Sequence, residues 1–125
     1  MYRYQVRPGY GSEKLLVEFL HDSSDDGFVA ALRSVFSANG VKTKEEKDLI
    51  FMVTIIMDSP VGSFAIDHDE WDMIWIHAEE NQNAIQFVDH ILSRSGQFQK
   101  EEVDFNKFAQ QPSPGDVATR AAPDK

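Results

Sequence analysis

Apolar residues recur at helical spacing in two segments, which predicts two amphipathic helices. The first follows Ser23 and Asp26, a weak capping-box variant, and ends at Asn39-Gly40. Its apolar positions are Phe28, Leu32, Val35 and Phe36. The second begins near Glu79, has Asn81 or Asn83 as N-cap, and ends at Gly96. Its apolar stripe is Ala84, Ile85, Val88, Ile91 and Leu92.

Short apolar or alternating segments predict four strands, at residues 14–20, 49–57, 63–68 and 72–77. The second is apolar on both faces, which is typical of a central strand. The last two form a hairpin with its tip at Asp69-Glu70. Residues 43–46 match a capping box and predict a single helical turn.

These elements predict a single-domain α+β fold over residues 1–109, in the order β-α-β-β-β-α. Short connections favour antiparallel neighbours, so we expect a two-layer sandwich of about four mostly antiparallel strands with two helices on one face. Within residues 97–109 the pattern fits either an edge strand at 103–105 or a short helix carrying Phe105 and Phe108. Residues 110–125 lack apolar periodicity, which predicts a flexible C-terminal tail.

Composition restricts the class of protein. The 125 residues are 42% hydrophobic and 26% charged, as in ordinary globular proteins. Because there are 0 cysteines, disulfide scaffolds, thiolate metal sites and cysteine nucleophiles are excluded. The 12 Lys and Arg against 21 Asp and Glu give a net charge of -9, which argues against nucleic acid and anionic membranes as partners.

Hydropathy predicts a cytoplasmic protein. The first eight residues contain no apolar segment typical of a secretion signal. The longest apolar run, residues 49–57, is far shorter than the roughly 20 residues that span a bilayer. We therefore expect no membrane association.

The negative charge is concentrated in one part of the chain. Residues 48–93 contain 9 acidic residues and no Lys or Arg, while the rest is balanced at 12 acids and 12 bases. The hairpin tip collects Asp67, Asp69, Glu70 and Asp72, and the opposite end of the sheet collects Asp58, Glu79 and Glu80. Such a surface keeps a small protein soluble, docks a basic partner, or holds a cation.

The hairpin also carries apolar residues that the core does not need. On a strand from Asp72, alternation places Met73, Trp75 and His77 on one face and Ile74 and Ile76 on the other. Ile74 and Ile76 are the better candidates for the core. The face that carries Met73, Trp75 and His77 is then either covered by residues 98–108 or available as an interface.

Candidate chemistry is sparse. His77 and Glu79 are weak candidates for metal ligands, but the hairpin fails the EF-hand pattern because Asp72 takes its glycine position. No nucleophile elbow, His-Glu-x-x-His motif or Walker loop is present. We therefore predict no metal, no cofactor and no catalytic residue.

The sequence favours a small acidic protein-binding module, of an accessory, inhibitor or immunity-like type, with no catalysis evident. Its partner would be a protein with a basic surface or a second copy of the chain. The candidate partner-binding residues are Asp67, Asp69, Glu70, Trp71, Asp72, Met73 and Trp75. The alternatives are a small-molecule- or metal-dependent enzyme that uses His77, Glu79 and nearby carboxylates, and a structural homodimer.

Overall fold

The computed structural model of the protein describes residues 1–109. Residues 110–125, predicted as a flexible tail, lie outside the described part. The strands are β1 (Tyr2–Pro8), β2 (Leu15–Asp22), β3 (Lys42–Asp48), β4 (Met52–Ser59), β5 (Gly62–Asp69), β6 (Met73–His77) and β7 (Phe98–Glu101). The helices are α1 (Asp26–Ala38) and α2 (Gln82–Arg94), followed by a short 3-10 helix (Phe105–Phe108).

The strands form one mixed sheet in the order β3-β4-β5-β6-β2-β1-β7. All neighbours are antiparallel except β1 and β7, which pair in parallel. The α+β class is confirmed. The prediction of a four-stranded two-layer sandwich in the order β-α-β-β-β-α is wrong, because the sheet has seven strands.

Three strands, β1, β3 and β7, were absent from the predicted set of four, for different reasons. β3, with the sequence KTKEEKD, is exposed at every position, and it forms through backbone pairing with β4 rather than through burial. Residues 43–46 are therefore part of a strand and not a helical turn. β7 has only four residues, too few to show a pattern. β1 does alternate, with Tyr2, Tyr4 and Val6 separated by polar residues, and its sequence was compatible with either a short strand or an extended arm. Edge strands are often short and charged, which prevents edge-to-edge aggregation.

The N-termini of the two helices are formed differently. Asp25, not Ser23, caps α1, and its Oδ1 accepts a hydrogen bond from the backbone N–H of Phe28 at 3.1 Å. Asn81, one of the two predicted N-cap residues of α2, occupies the N-cap position, but its side chain forms no capping hydrogen bond. Its side chain donates instead to the carbonyls of Val61 and Ser63, which ties the start of α2 to the β4–β5 turn.

Both helices pack against the same face of the sheet. Alternate residues of the central strands enter this core, and those with no exposed surface are Tyr4, Val17, Phe19 and Ile76. They meet Phe28 of α1 and Ile85 of α2 in one hydrophobic cluster. Among the described residues, no helix is long and apolar enough to cross a membrane.

The other face of the sheet, called the far face below, is partly covered by the end of the described chain. Phe108 lies on it, with the Arg7 guanidinium carbon 4.7 Å from its ring centre. Arg7 is 7% exposed and pairs through Nε with Glu18 Oε1 at 2.7 Å. The 3-10 helix was one of two alternatives for this segment. The strand lies at Phe98–Glu101 and not at residues 103–105.

The β4–β5 turn depends on a glycine. Gly62 has a φ of 112°, and a Cβ there would lie 2.6 Å from Asn81 Nδ2. We expect Gly62→Ala to lower the free energy of unfolding by about 2 kcal/mol, from backbone strain and the displaced Asn81 contacts. Gly96→Ala is the matched control, since φ there is 78° and no atom lies within 4 Å of the new Cβ. Urea denaturation measures both, and equal losses would contradict the role of Asn81.

Candidate functional site

Three loops meet at one end of the sheet, which we call the acidic end. They are the β3–β4 turn (49–51), the β5–β6 turn (70–72) and the β2–α1 junction (23–25). Strand register brings them together, because Met52 pairs with Asp69 and Asp22 pairs with Met73. The backbone N–H of Ser23 also donates to the Asp72 carbonyl at 2.8 Å.

Large apolar side chains are exposed at this end. Ile50 is 90% exposed, Phe51 67%, Leu49 53% and Trp71 48%. Ile50 and Phe51 occupy the tip of the β3–β4 hairpin, where the N–H of Leu49 donates to the carbonyl of Met52 at 2.7 Å. Hairpin tips normally carry glycine and polar residues. Turn geometry therefore does not explain the apolar residues of this tip, and exposed apolar patches often mark contact surfaces.

The loops of the acidic end and the residues next to them carry several carboxylates. They are Asp22, Asp25, Asp26, Asp48, Asp69, Glu70 and Asp72. One basic residue, Lys47, directly precedes Asp48. The acidic end therefore combines a negative field with exposed apolar surface, and that combination is complementary to a positively charged surface with an apolar recess.

The β5–β6 turn is held in a defined conformation. Asp69 Oδ1 accepts hydrogen bonds from the backbone N–H groups of Trp71 and Met73, at 2.9 and 3.0 Å. Asp72 has a φ of 66°, a left-handed conformation that aspartate tolerates better than most residues. Hydrogen bonds from His68 and then Ser23 hold the pKa of Asp72 below its usual value. Trp71 is thus presented by a pre-organised turn.

Ser23, His68 and Asp72 lie together at the acidic end, but not as a nucleophilic triad. Ser23 Oγ is 2.9 Å from His68 Nε2, and Asp72 Oδ1 is 3.0 Å from the same nitrogen. In a triad the carboxylate instead binds the second ring nitrogen and leaves Nε2 to the hydroxyl. Ser23 also donates to Asp72 Oδ1. This geometry braces the β2–α1 junction against the β5–β6 turn.

A second polar group lies in the middle of the far face. Asp67 is 6% exposed, accepts a hydrogen bond from Thr54 Oγ1 at 2.7 Å, and pairs with His77 Nε2 at 2.7 Å. Burial alone would raise the pKa of Asp67, but hydrogen bonds from His77 and Thr54 outweigh it and lower that pKa. The bond to Asp67 raises the pKa of His77, against the effect of burial. The pair is therefore ionised over a mildly acidic range.

The structure separates the predicted partner-binding residues into two groups. Asp69, Glu70, Trp71, Asp72 and Met73 lie at the acidic end. Asp67 and Trp75 lie on the far face, where Asp67 pairs with Trp75 across the two strands. Asp67 is buried and its carboxylate is engaged in hydrogen bonds, so it offers little surface to a partner. Trp75 is half-buried, with Glu18 as its neighbour on β2.

The weak metal candidates do not form a ligand cluster with other residues. His77 uses Nε2 for Asp67, and Glu79 is exposed beyond the end of β6. Within residues 1–109 no group of three or more His, Cys, Asp or Glu side chains is arranged to hold a metal ion. The residues around His77 therefore give no support to a metal centre.

The sequence pattern did not identify Leu49, Ile50 and Phe51 of the β3–β4 turn as surface residues. The apolar run at residues 49–57 predicted one continuous strand, but β4 begins only at Met52. A signal was present, because Asp48 ends a highly charged segment immediately before Leu49. Only the pairing of β3 with β4 reveals that these residues form a turn.

Known proteins provide no guide to the role of this site. Comparison of the chain with models of protein families, with curated proteins and with solved structures found no significant match.

Proposed function

We propose that this protein is a binding module that uses its acidic end to engage a protein with a basic surface. The observation that carries the proposal is the exposure of Leu49, Ile50, Phe51 and Trp71 among the acidic-end carboxylates. Interface centres are enriched in aromatic side chains, and complementary charges increase the rate of encounter. The net charge of -9 makes a basic partner the complementary one.

Pre-organisation supports the same conclusion. The Asp69 hydrogen bonds fix the turn that carries Trp71, and the Ser23 contacts join that turn to α1. A surface already held in one conformation loses little conformational entropy on binding. The partner should therefore present an apolar recess for Trp71 or Ile50, with Lys and Arg side chains around it.

Truncation of the apolar residues tests the proposal. The wild-type chain is used to isolate its partner from cells that express it, and the purified pair is then measured by calorimetry. We expect Ile50→Ala with Trp71→Ala to weaken binding by at least about thirtyfold, the effect of removing two interface anchors. Val61→Ala is the matched control, because Val61 is 43% exposed in the β4–β5 turn at the other end of the sheet. Equal binding by all three proteins would contradict the proposal.

Charge reversal tests the electrostatic part separately. We expect Asp48→Lys with Glu70→Lys to slow association, with the largest difference from wild type at low salt. Asp58→Lys with Glu80→Lys makes the same change at the opposite end and should have a small effect. Stopped-flow measurements at two salt concentrations give the rates. Greater slowing by the control pair would place the docking surface elsewhere.

The cytoplasmic location, the homodimer and the enzyme based on His77 and Glu79 stay predictions. Sedimentation of the full chain at several concentrations separates self-association from a heterologous partner. Self-association that disappears in the Ile50→Ala and Trp71→Ala variant would make a second copy the occupant of the acidic end.

A further inference from the structure

A small cavity lies at the sheet edge where β7 stops and β1 continues, and we call it the edge pocket. β7 ends at Glu101, opposite Gln5, so the edge of β1 beyond Gln5 is not paired with it. Residues 102–105 pass this edge and form one wall, while α2 forms another. The cavity has a volume of about 150 Å³.

The inner walls of the edge pocket are apolar. They consist of Val6, Leu15, Ile85, Val103 and Phe105. Phe105 is 49% exposed, so its ring stands at the mouth. An enclosed apolar cavity of about this volume binds benzene, and the edge pocket has a similar volume but opens to solvent. The edge pocket can therefore accept one six-membered ring.

The wall formed by residues 102–105 is held at both sides. On one side it continues from β7, which pairs with β1. On the other side Asp104 caps the 3-10 helix by accepting from the N–H of Asn106 at 3.0 Å. The Phe108 carbonyl then accepts from the N–H of Gly11 at 2.9 Å. The pocket is thus formed before any ligand enters.

The rim of the edge pocket carries net negative charge. Lys100 Nζ pairs with Asp89 Oδ2 at 2.9 Å, and Tyr4 donates to Asp89 Oδ1 at 2.7 Å. This neutralises Lys100 and Asp89 together. Glu102 also lines the pocket, and within residues 1–109 its carboxylate forms no hydrogen bond or ion pair. Glu101 pairs with Gln5, which bonds Glu18 on the far face, so the Glu101 side chain points away from α2. One carboxylate, that of Glu102, is therefore left to attract a cation at the mouth.

We propose that the edge pocket binds a small organic cation, a primary ammonium ion attached to one six-membered ring. The ring occupies the apolar interior beside Ile85 and Phe105, and the ammonium group lies at the rim near Glu102. This site is separate from the acidic end and does not depend on the proposed protein partner.

Titration of the full-length protein with three matched probes tests the proposal. The probes are benzylammonium, benzyl alcohol and benzoate, which share the ring and differ in charge. Amide shifts in ¹H–¹⁵N spectra should saturate at millimolar benzylammonium for residues of the pocket. We expect binding to weaken from benzylammonium to benzyl alcohol and again to benzoate, by about two- to fivefold at the first step, as for a solvent-exposed ion pair.

Variants separate the two parts of the proposal. Glu102→Gln should remove the preference for benzylammonium over benzyl alcohol, while Glu46→Gln, the same change on exposed β3 at the opposite edge of the sheet, should keep it. Phe105→Ala should weaken all three probes. Equal binding of the three probes by the wild type, or shifts confined to residues outside the pocket, would overturn the proposal. Loss of the preference in the Glu46 variant would also overturn it.

Discussion

Replacing Phe28 with alanine is expected to lower the free energy of unfolding by about 3–5 kcal/mol, the range for large aromatic truncations in a core. Phe28 has no exposed surface, and its ring centre lies 5.2 Å from that of Phe19 and 6.2 Å from that of Phe98. It joins α1 to β2 and β7. A loss of this size is a large part of the roughly 5–15 kcal/mol that stabilises a typical domain.

Chemical denaturation in urea measures this effect, and Phe51→Ala is its matched control. Phe51 undergoes the same chemical change, but it is 67% exposed in the β3–β4 turn. We expect the control to stay within about 0.5 kcal/mol of wild type. A loss for Phe51→Ala as large as that for Phe28→Ala would mean that the turn is buried in solution, which would also remove the basis of the proposed docking surface.

The second large effect is the pH dependence produced by Asp67 and His77. The pKa of His77 is raised by its bond to Asp67, so its stabilisation is complete below about pH 6.5 and is lost as the pH rises through the raised value. The pKa of Asp67 is lowered, so its stabilisation is present above about pH 4 and is lost as the pH falls through the lowered value. Together the pair stabilises most between about pH 4 and pH 6.5.

Asp67→Asn is therefore expected to cost most in that window. At about pH 5.5 we expect a loss of about 1–2 kcal/mol, less than for a fully buried pair because the His77 side chain is 37% exposed. The loss should shrink as the pH rises through the raised pKa of His77, because the imidazole then loses its charge. Unfolding by urea at several pH values gives the curve.

Asp58→Asn supplies the comparison for that curve. Asp58 lies at the end of β4 and is exposed, so the same change there should leave stability almost constant across the range. A loss for Asp67→Asn that grows with rising pH would contradict the ionised pair. A loss that does not vary with pH would assign the role of Asp67 to its bond with Thr54 alone.

Local patterns predicted some elements well. Phe28, Leu32, Val35 and Phe36 are buried along α1, because a helix places residues three or four apart on one face. Alternation in β6 also holds, since Ile74 and Ile76 are buried while Trp75 is half-buried. Such periodicities arise within one element and are visible in the sequence.

The candidate site was only partly predictable for a related reason. Asp69, Glu70 and Trp71 were identified because their charge and their hairpin are contiguous in the sequence. Ile50 and Phe51 are distant from them in sequence, and only the pairing of β4 with β5 brings the two turns to the same end. Strand neighbours are chosen by long-range backbone pairing, which leaves little trace in one segment.

By itself, the sequence determined the α+β class, two helices, the central hairpin and a strongly uneven charge, since each follows from residues close together in the chain. The tertiary structure alone decided the seven-stranded order, the ionised pair between Asp67 and His77, and the acidic end with its exposed turn. The physical reason is that strand order depends on hydrogen bonds between strands distant in the chain, and such bonds require no apolar pattern, as the fully exposed β3 illustrates.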